Sequence, residues 1–304
     1  MALQRCAVSV SLLAVLGLSS CKVSDDAIAA SQQMTATAEC LRDYYGALER
    51  SVTDTIALFE LDGAISGIPY GDNDRKLQET TLAELRQREA MAEGLAELAA
   101  SMTALSNPKM ASSTADSATK LGKELVSVKA LPSGSPVPDA LGKAGNFLIQ
   151  IAQQHEEKKA AKAMDETLNA VAGLFAQEKK VYDTIADTHD RQASQVAMDI
   201  MDKNGVDPTP MLSPALKPFG LTAVPPSAAL QATLKQLAKA RLQGQTAQAT
   251  KREEAASSAM VDSLNEMSRR VHALAMDNKM PVRGEPTSLK QVEDWVESLG
   301  GALI

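Results

Sequence analysis

Three histidines, His155, His189 and His272, carry all the imidazole chemistry this chain has. None of them stands four residues from another, as a helical zinc motif requires. No Glu-x-x-His pair of the di-iron bundles occurs, no Cys-x-x-Cys, and no glycine-rich loop that would cradle phosphate. The run HEEK at His155 sets acids beside an imidazole without a second histidine one turn on, so it reads as a solvated charged face. The richest cluster is YDTIADTHDR (182–191), where Asp183, Asp187 and Asp190 share a helical face and His189 falls in frame with Tyr182 and Ile185. Such a stripe either holds a divalent cation weakly or is a hydrated face beside a seam histidine. GDND (71–74) lacks the residue order of a calcium loop and reads as a turn with a helix N-cap. The expectation is a non-catalytic chain with no cofactor and no metal; a hydrolase or metal-binding module would lack its residues.

What must position these side chains is a set of long helices. Met34, Ala38, Leu41, Tyr45, Leu48, Val52 and Phe59 follow steps of four and three, with only Thr55 polar in frame. That period is the seam of a coiled-coil-like helix. The glycines and proline of DGAISGIPYGDND (62–74) are expected to stop it at Asp62 and Gly63, and Asp74 to cap the next helix. That second helix carries Leu77, Leu85, Leu95, Leu98, Met102 and Leu105, with Glu84 and Arg88 expected as an exposed i,i+4 pair. Asn107 and Pro108 are expected to open a third helix reaching Lys129.

LPSGSPVP (131–138) is too rich in proline and glycine to continue a helix and is read as a linker. No proline interrupts 139–203, where Leu168, Val171, Phe175, Tyr182, Ile185, Val196 and Ile200 keep a helical stripe. It is expected either as one helix of ~98 Å or as a helix kinked near Gly173. Six prolines make 204–227 an irregular connection. A fifth helix follows from Ser227 to about Asn278 with Leu264, Met267, Val271 and Leu274 in frame. A short last helix opens at Ser288 and bears Val292, Trp295, Val296 and Leu299. With no alternating strand pattern and no fixed repeat, the fold class is all-α: an up-and-down bundle of long, coiled-coil-like antiparallel helices. Its expected units are a three-helix segment 21–130, the linker, and a long hairpin 139–304 with its Pro-rich loop and short C-terminal helix.

Residues 1–20 have another character. Arg5 is the only charge ahead of an apolar run from Cys6 to Leu18, too short for a membrane span. Leu18-Ser19-Ser20-Cys21 then resembles the lipobox of bacterial lipoproteins, with a Leu three residues before a Cys and two small residues between. The resemblance implies that 1–20 is a signal peptide and that Cys21 is alkylated by diacylglycerol and becomes the first mature residue. Each buried methylene contributes about 0.8 kcal/mol, so the three acyl chains usual in lipoproteins of diderm bacteria anchor a protein stably. Lys22 stands where enterobacterial proteins retained at the inner membrane carry Asp, which implies an outer-membrane position facing the periplasm.

The formal charge of -7 makes nucleic acid and anionic membrane faces poor partners. Aromatic residues are only 3% of the chain, and its apolar share leans on Ala, Leu and Met, as in helices packed closely through small residues. Once Cys6 and Cys21 are accounted for, Cys40 has no partner in the chain. It is either buried or paired with another molecule, and its place beside Leu41 favours burial.

Two apolar stretches lie off the seams. AISGIPY (64–70) brings Ile65, Ile68 and Tyr70 to the tip of a helical pair, tucked into the bundle end or offered to a partner or bilayer. The Pro-rich loop carries Met211, Leu212 and Phe219, and proline-stiffened segments lose little entropy on binding. The functional expectation is a lipid-anchored helical scaffold that docks another envelope protein. The alternative is a membrane-active, toxin-like or pore-associated bundle that inserts AISGIPY or AGNFLIQIAQ (144–153).

Overall fold

The first seam becomes a buried stripe: Met34, Ala38, Leu41, Tyr45, Leu48 and Val52 are each at most 1% exposed, on helix α1 (Asp25–Ser66). Thr55, the polar member of the frame, is buried too and donates to the Ser51 carbonyl at 2.6 Å, so its hydroxyl brings no unsatisfied group into the core. The computed structural model describes residues 25–103, 111–132, 139–154, 157–203, 228–275 and 287–300, with single positions 137, 212 and 217. After α1 come α2 (Asp72–Thr103), α3 (Ala111–Ser127), α4 (Asp139–Gln154), α5 (Glu157–Lys203), α6 (Ala228–Ala275) and α7 (Thr287–Gly300). There is no strand among the described residues, and the protein is all-α.

Cross-helix contacts give the directions. Glu49 pairs with Arg86 and Glu60 with Arg75, so α1 and α2 are antiparallel. Asp165 meets His272 and Asp202 meets Lys239, so α5 and α6 are antiparallel as well. Tyr45 lies against Tyr182 and Asp54 against His189, which makes α1 and α5 parallel neighbours. Two long antiparallel helix pairs therefore stand side by side, with Ser66 of α1 and Lys203 of α5 towards the same end. Between them in sequence, α3 and α4 form a shorter hairpin against α2 and α5, and α7 lies on α1 and α6. The core is centred on an aromatic cluster of Tyr44, Tyr45, Phe175, Tyr182 and Trp295, with neighbouring ring centroids 4.8 to 6.1 Å apart. Few as they are, most of the chain's aromatics sit here, where tilted and edge-on rings fill the junction of three helices.

Several boundaries differ from expectation. α1 runs past Asp62 and Gly63 to Ser66 and ends at Gly67, whose φ of 72° is the left-handed C-terminal cap. Gly63 is needed inside the helix because a Cβ there would lie 2.7 Å from the Ile68 carbonyl oxygen as the chain folds back. α2 opens earlier than Asp74: the Arg75 amide donates to the Gly71 carbonyl at 3.0 Å, leaving Asp72 and Asp74 in the first turn, at the positive end of the helix dipole. Leu77, expected in the core, is 50% exposed near this end.

The stretch 139–203 is neither one helix nor kinked at Gly173. α4 and α5 are separate helices that pack against each other, and α5 passes through Gly173 without interruption. Between their apolar frames the sequence QQHEEKK (153–159) offers nothing to bury, so no seam holds the two in line. α5, with 47 residues, spans ~70 Å and is matched by α6 with 48. α3 and α4 cross at glycines: a Cβ on Gly145 would stand 2.5 Å from the Gly122 carbonyl oxygen, and one on Gly122 would stand 2.6 Å from that of Gly145. The contiguous core ends at Ala186 on α5 and Ala256 on α6. Val196, Met201, Leu234 and Ala238 are buried farther along the α5–α6 hairpin, outside it.

Candidate functional site

Arg88 is the largest fully buried side chain of the described residues, at 0% exposure. Its Nε donates to Glu178 Oε2 at 2.7 Å and its Nη2 to Glu178 Oε1 at 2.6 Å, a two-pronged pair between α2 and α5. Two further N–H groups donate to main-chain carbonyls, Nη1 to that of Glu84 at 2.8 Å and Nη2 to that of Lys129, just past α3, at 2.7 Å. Tyr182 adds a 2.5 Å bond to Glu178 Oε2, and the Tyr45 hydroxyl lies 3.4 Å from that of Tyr182. Burial works against the guanidinium charge, but the bonds to Glu178 and the surrounding field outweigh it and raise the Arg88 pKa. Burial also holds the Tyr44, Tyr45 and Tyr182 phenols neutral by pushing their pKa up.

This corrects the expectation of an exposed Glu84–Arg88 pair: Glu84 is 6% exposed and its carboxylate stands 3.9 Å from Arg88, while the short pair is with Glu178. The physical reason is frame. Arg88 falls three residues after Leu85 and four before Ala92, and Glu178 three after Phe175 and four before Tyr182, so both charges point inward. The network is sealed from solvent, with Arg88 at 0% and Glu178 at 1% side-chain exposure, and four of the five guanidinium N–H groups are hydrogen-bonded. It ties α2, the end of α3 and α5 together.

The acidic face of α5 is dispersed rather than convergent. Asp183 accepts from Lys179 at 2.8 Å and Ser257 at 2.6 Å, Asp187 from Arg191 at 2.7 Å and Thr250 at 2.9 Å. Asp190 lies 3.0 Å from His189 Nδ1, while His189 Nε2 is 4.0 Å from Asp54 on α1. Among the described residues no group of three or more His, Cys, Asp or Glu side chains is arranged to hold a metal ion. An open groove of mixed charge runs beside these residues between α5 and α6, lined by Arg191, Ser194, Thr246 and Lys251.

Facing Asp183, Asp187 and Asp190 from α6 is Glu253, which the sequence reading passed over. It is 1% exposed, and neither carboxyl oxygen has a hydrogen-bond partner among the described residues. Burial, with the charges of Asp183, Asp190, Asp187 and Glu254 added, pushes its pKa up to about 10, so it is a neutral acid at pH 7. The signal was available, because Glu253 precedes Ala256 by three and Met260 by seven, in frame with the buried stripe of α6.

No protein-family model matches the chain, and no similar curated protein or solved structure was found.

The other expected positions divide. Ile68 is 71% exposed and Ile65 half-buried, while the Tyr70 ring stacks on Phe59 at 5.1 Å between centroids, with the Arg75 guanidinium 5.7 Å from its centre. The loop is thus tucked in by Tyr70 and presents Ile68. Leu212 is only 8% exposed, held inside rather than offered, and Lys217 is exposed. Cys21, Met211, Phe219, His155, Asn107 and Pro108 lie outside the residues whose structure or side chains are described. No described helix is long and apolar enough to cross a membrane.

Cys40 is buried at 6% exposure, and burial, aided by Glu293 and Asp43, pushes its thiol up to about 12. At pH 7 the nucleophilic thiolate is then scarce. Maleimide labelling of native protein is expected to be slow and to become complete on unfolding, with no dimer on non-reducing gels. Fast labelling of the native protein would mean that α7 does not cover this face of α1.

Proposed function

We propose that the protein is a lipid-anchored, non-catalytic helical scaffold of the bacterial envelope that holds a protein-docking tip away from its membrane. The observation that carries this reading is Leu18-Ser19-Ser20-Cys21 behind a short apolar run, four residues before α1 begins. A chain acylated at Cys21 starts at the membrane and rises along α1, whose 42 residues span ~63 Å. The far end is the α1–α2 turn, where Leu61, Ile68 and Leu77 are 44%, 71% and 50% exposed. Apolar side chains at the distal end of a tethered rod suit contact with another envelope protein, and the acidic character of the chain disfavours nucleic acid as partner.

Two measurements test it in the source cell. Labelled palmitate is expected to enter the wild type and not Cys21→Ser. A photo-crosslinking residue in place of Ile68 is expected to capture one discrete protein, whereas the same probe at the exposed mid-helix position Ala176 captures none. Label retained by Cys21→Ser would remove the anchor. Dye release from liposomes by the purified protein, without a crosslink at Ile68, would favour the membrane-active alternative.

A further inference from the structure

Midway along the α5–α6 interface the packing changes from apolar to acidic. α5 contributes Asp183, Asp187 and Asp190, with Lys179, Arg191 and His189 as their partners; α6 contributes Glu253 and Glu254; α1 contributes Tyr44 and, beside His189, Asp54. Asp183 and Asp187 each accept from a hydroxyl of α6, and Asp190 lies 3.0 Å from His189 Nδ1. Glu253 has no hydrogen-bond partner among the described residues, and the Tyr44 hydroxyl, also buried, has none either. A carboxylate withdrawn from water without donors and facing three others is strongly disfavoured, whereas the protonated acid is tolerated. The position is also a boundary. The contiguous core stops at Ala186 and Ala256, so the segments beyond Glu253 can part without breaking it.

We propose that Glu253 is a proton-operated latch on the α5–α6 hairpin: protonated, it lets the two helices close over it, and on losing its proton to solvent it opens them locally, about residues 187–194 and 246–254. This goes beyond the scaffold reading and does not depend on the anchor. The sign follows from linkage. The closed state raises the acid from its ordinary 4.5 to about 10, so it holds a proton that the open state has released. The closed state is at full strength below pH 4.5 and is lost progressively as pH rises towards 10.

Pulsed amide hydrogen exchange of the full mature chain from pH 5 to about 11, which spans the levelling near 10, corrected for intrinsic rate, tests the latch. In the wild type, protection at 187–194 and 246–254 is expected to fall by up to about tenfold per pH unit, the limit for one released proton, while 164–175 in the main core stays protected. In Glu253→Gln the local fall is expected to vanish. Asp190→Asn serves if that variant does not fold: with one facing charge removed, the fall is expected to level off at a lower pH. A Glu253→Gln profile with the wild-type slope, an Asp190→Asn profile superimposable on wild type, or a fall in protection equal in all helices would each overturn the proposal.

Discussion

Arg88→Ala is expected to cost the bundle about 3–5 kcal/mol, read as a lower denaturant midpoint at unchanged slope. Most of that loss comes from what is left behind. Glu178, 1% exposed at its side chain, would be left buried with Tyr182 as its remaining close partner, and the Lys129 carbonyl would lose its donor. The pair itself is a different quantity, because desolvation of two ions offsets much of their attraction. Arg88→Met combined with Glu178→Leu is therefore expected to recover most of the loss, and to do so with a coupling energy large compared with that of an exposed pair such as Lys120–Glu97. A cost below about 1 kcal/mol for Arg88→Ala would mean that water reaches Glu178 and that the pair is not sealed as its geometry indicates.

The α3–α4 crossing gives the second large effect. Gly145→Ala places a methyl group 2.5 Å from the Gly122 carbonyl oxygen and 3.1 Å from the Leu125 Cβ, and a backbone atom cannot rotate away as a side chain can. The helices must separate, with an expected loss of about 1–3 kcal/mol. Three residues earlier on the same helix, Gly142 has nothing within 4 Å of a built Cβ. Gly142→Ala is expected to stabilise by about 0.5–1 kcal/mol through helix propensity alone. Opposite signs for one chemical change on one helix, measured by thermal unfolding, would be the signature of the crossing. A stabilised Gly145→Ala would show that α4 does not lie against α3 in solution.

Periodicity made the helices legible and composition made the fold class legible, because both depend on local frame. Tyr45, Leu168, Val171, Phe175, Tyr182 and Met267 were all expected on buried faces and are buried. What frame alone misreports is a charge that occupies an apolar position. Arg88 and Glu178 look like surface residues by type and core residues by spacing, and they resolve the conflict by finding each other across 90 residues of sequence. Glu253 poses the same conflict and resolves it by protonation, a solution with no sequence signature beyond its place in the frame. The split between α4 and α5 was hidden for another reason. No proline or glycine marks it, and what decides it is that α4 buries Leu141, Ala144 and Leu148 against neighbours rather than along the line of α5.

α1 touches α2, α5, α6 and α7. A load applied to the chain ahead of Asp25 enters through this helix, along its axis, and is met by side chains of four neighbouring helices sliding past it together. That is shear rather than peeling, so the resisting contacts share the force instead of failing in succession, whereas the same pull on α7 would unzip a short helix from two neighbours. The direction of strength in this protein thus follows its first helix, and single-molecule pulling from Asp25 against pulling from Leu299 would measure the anisotropy.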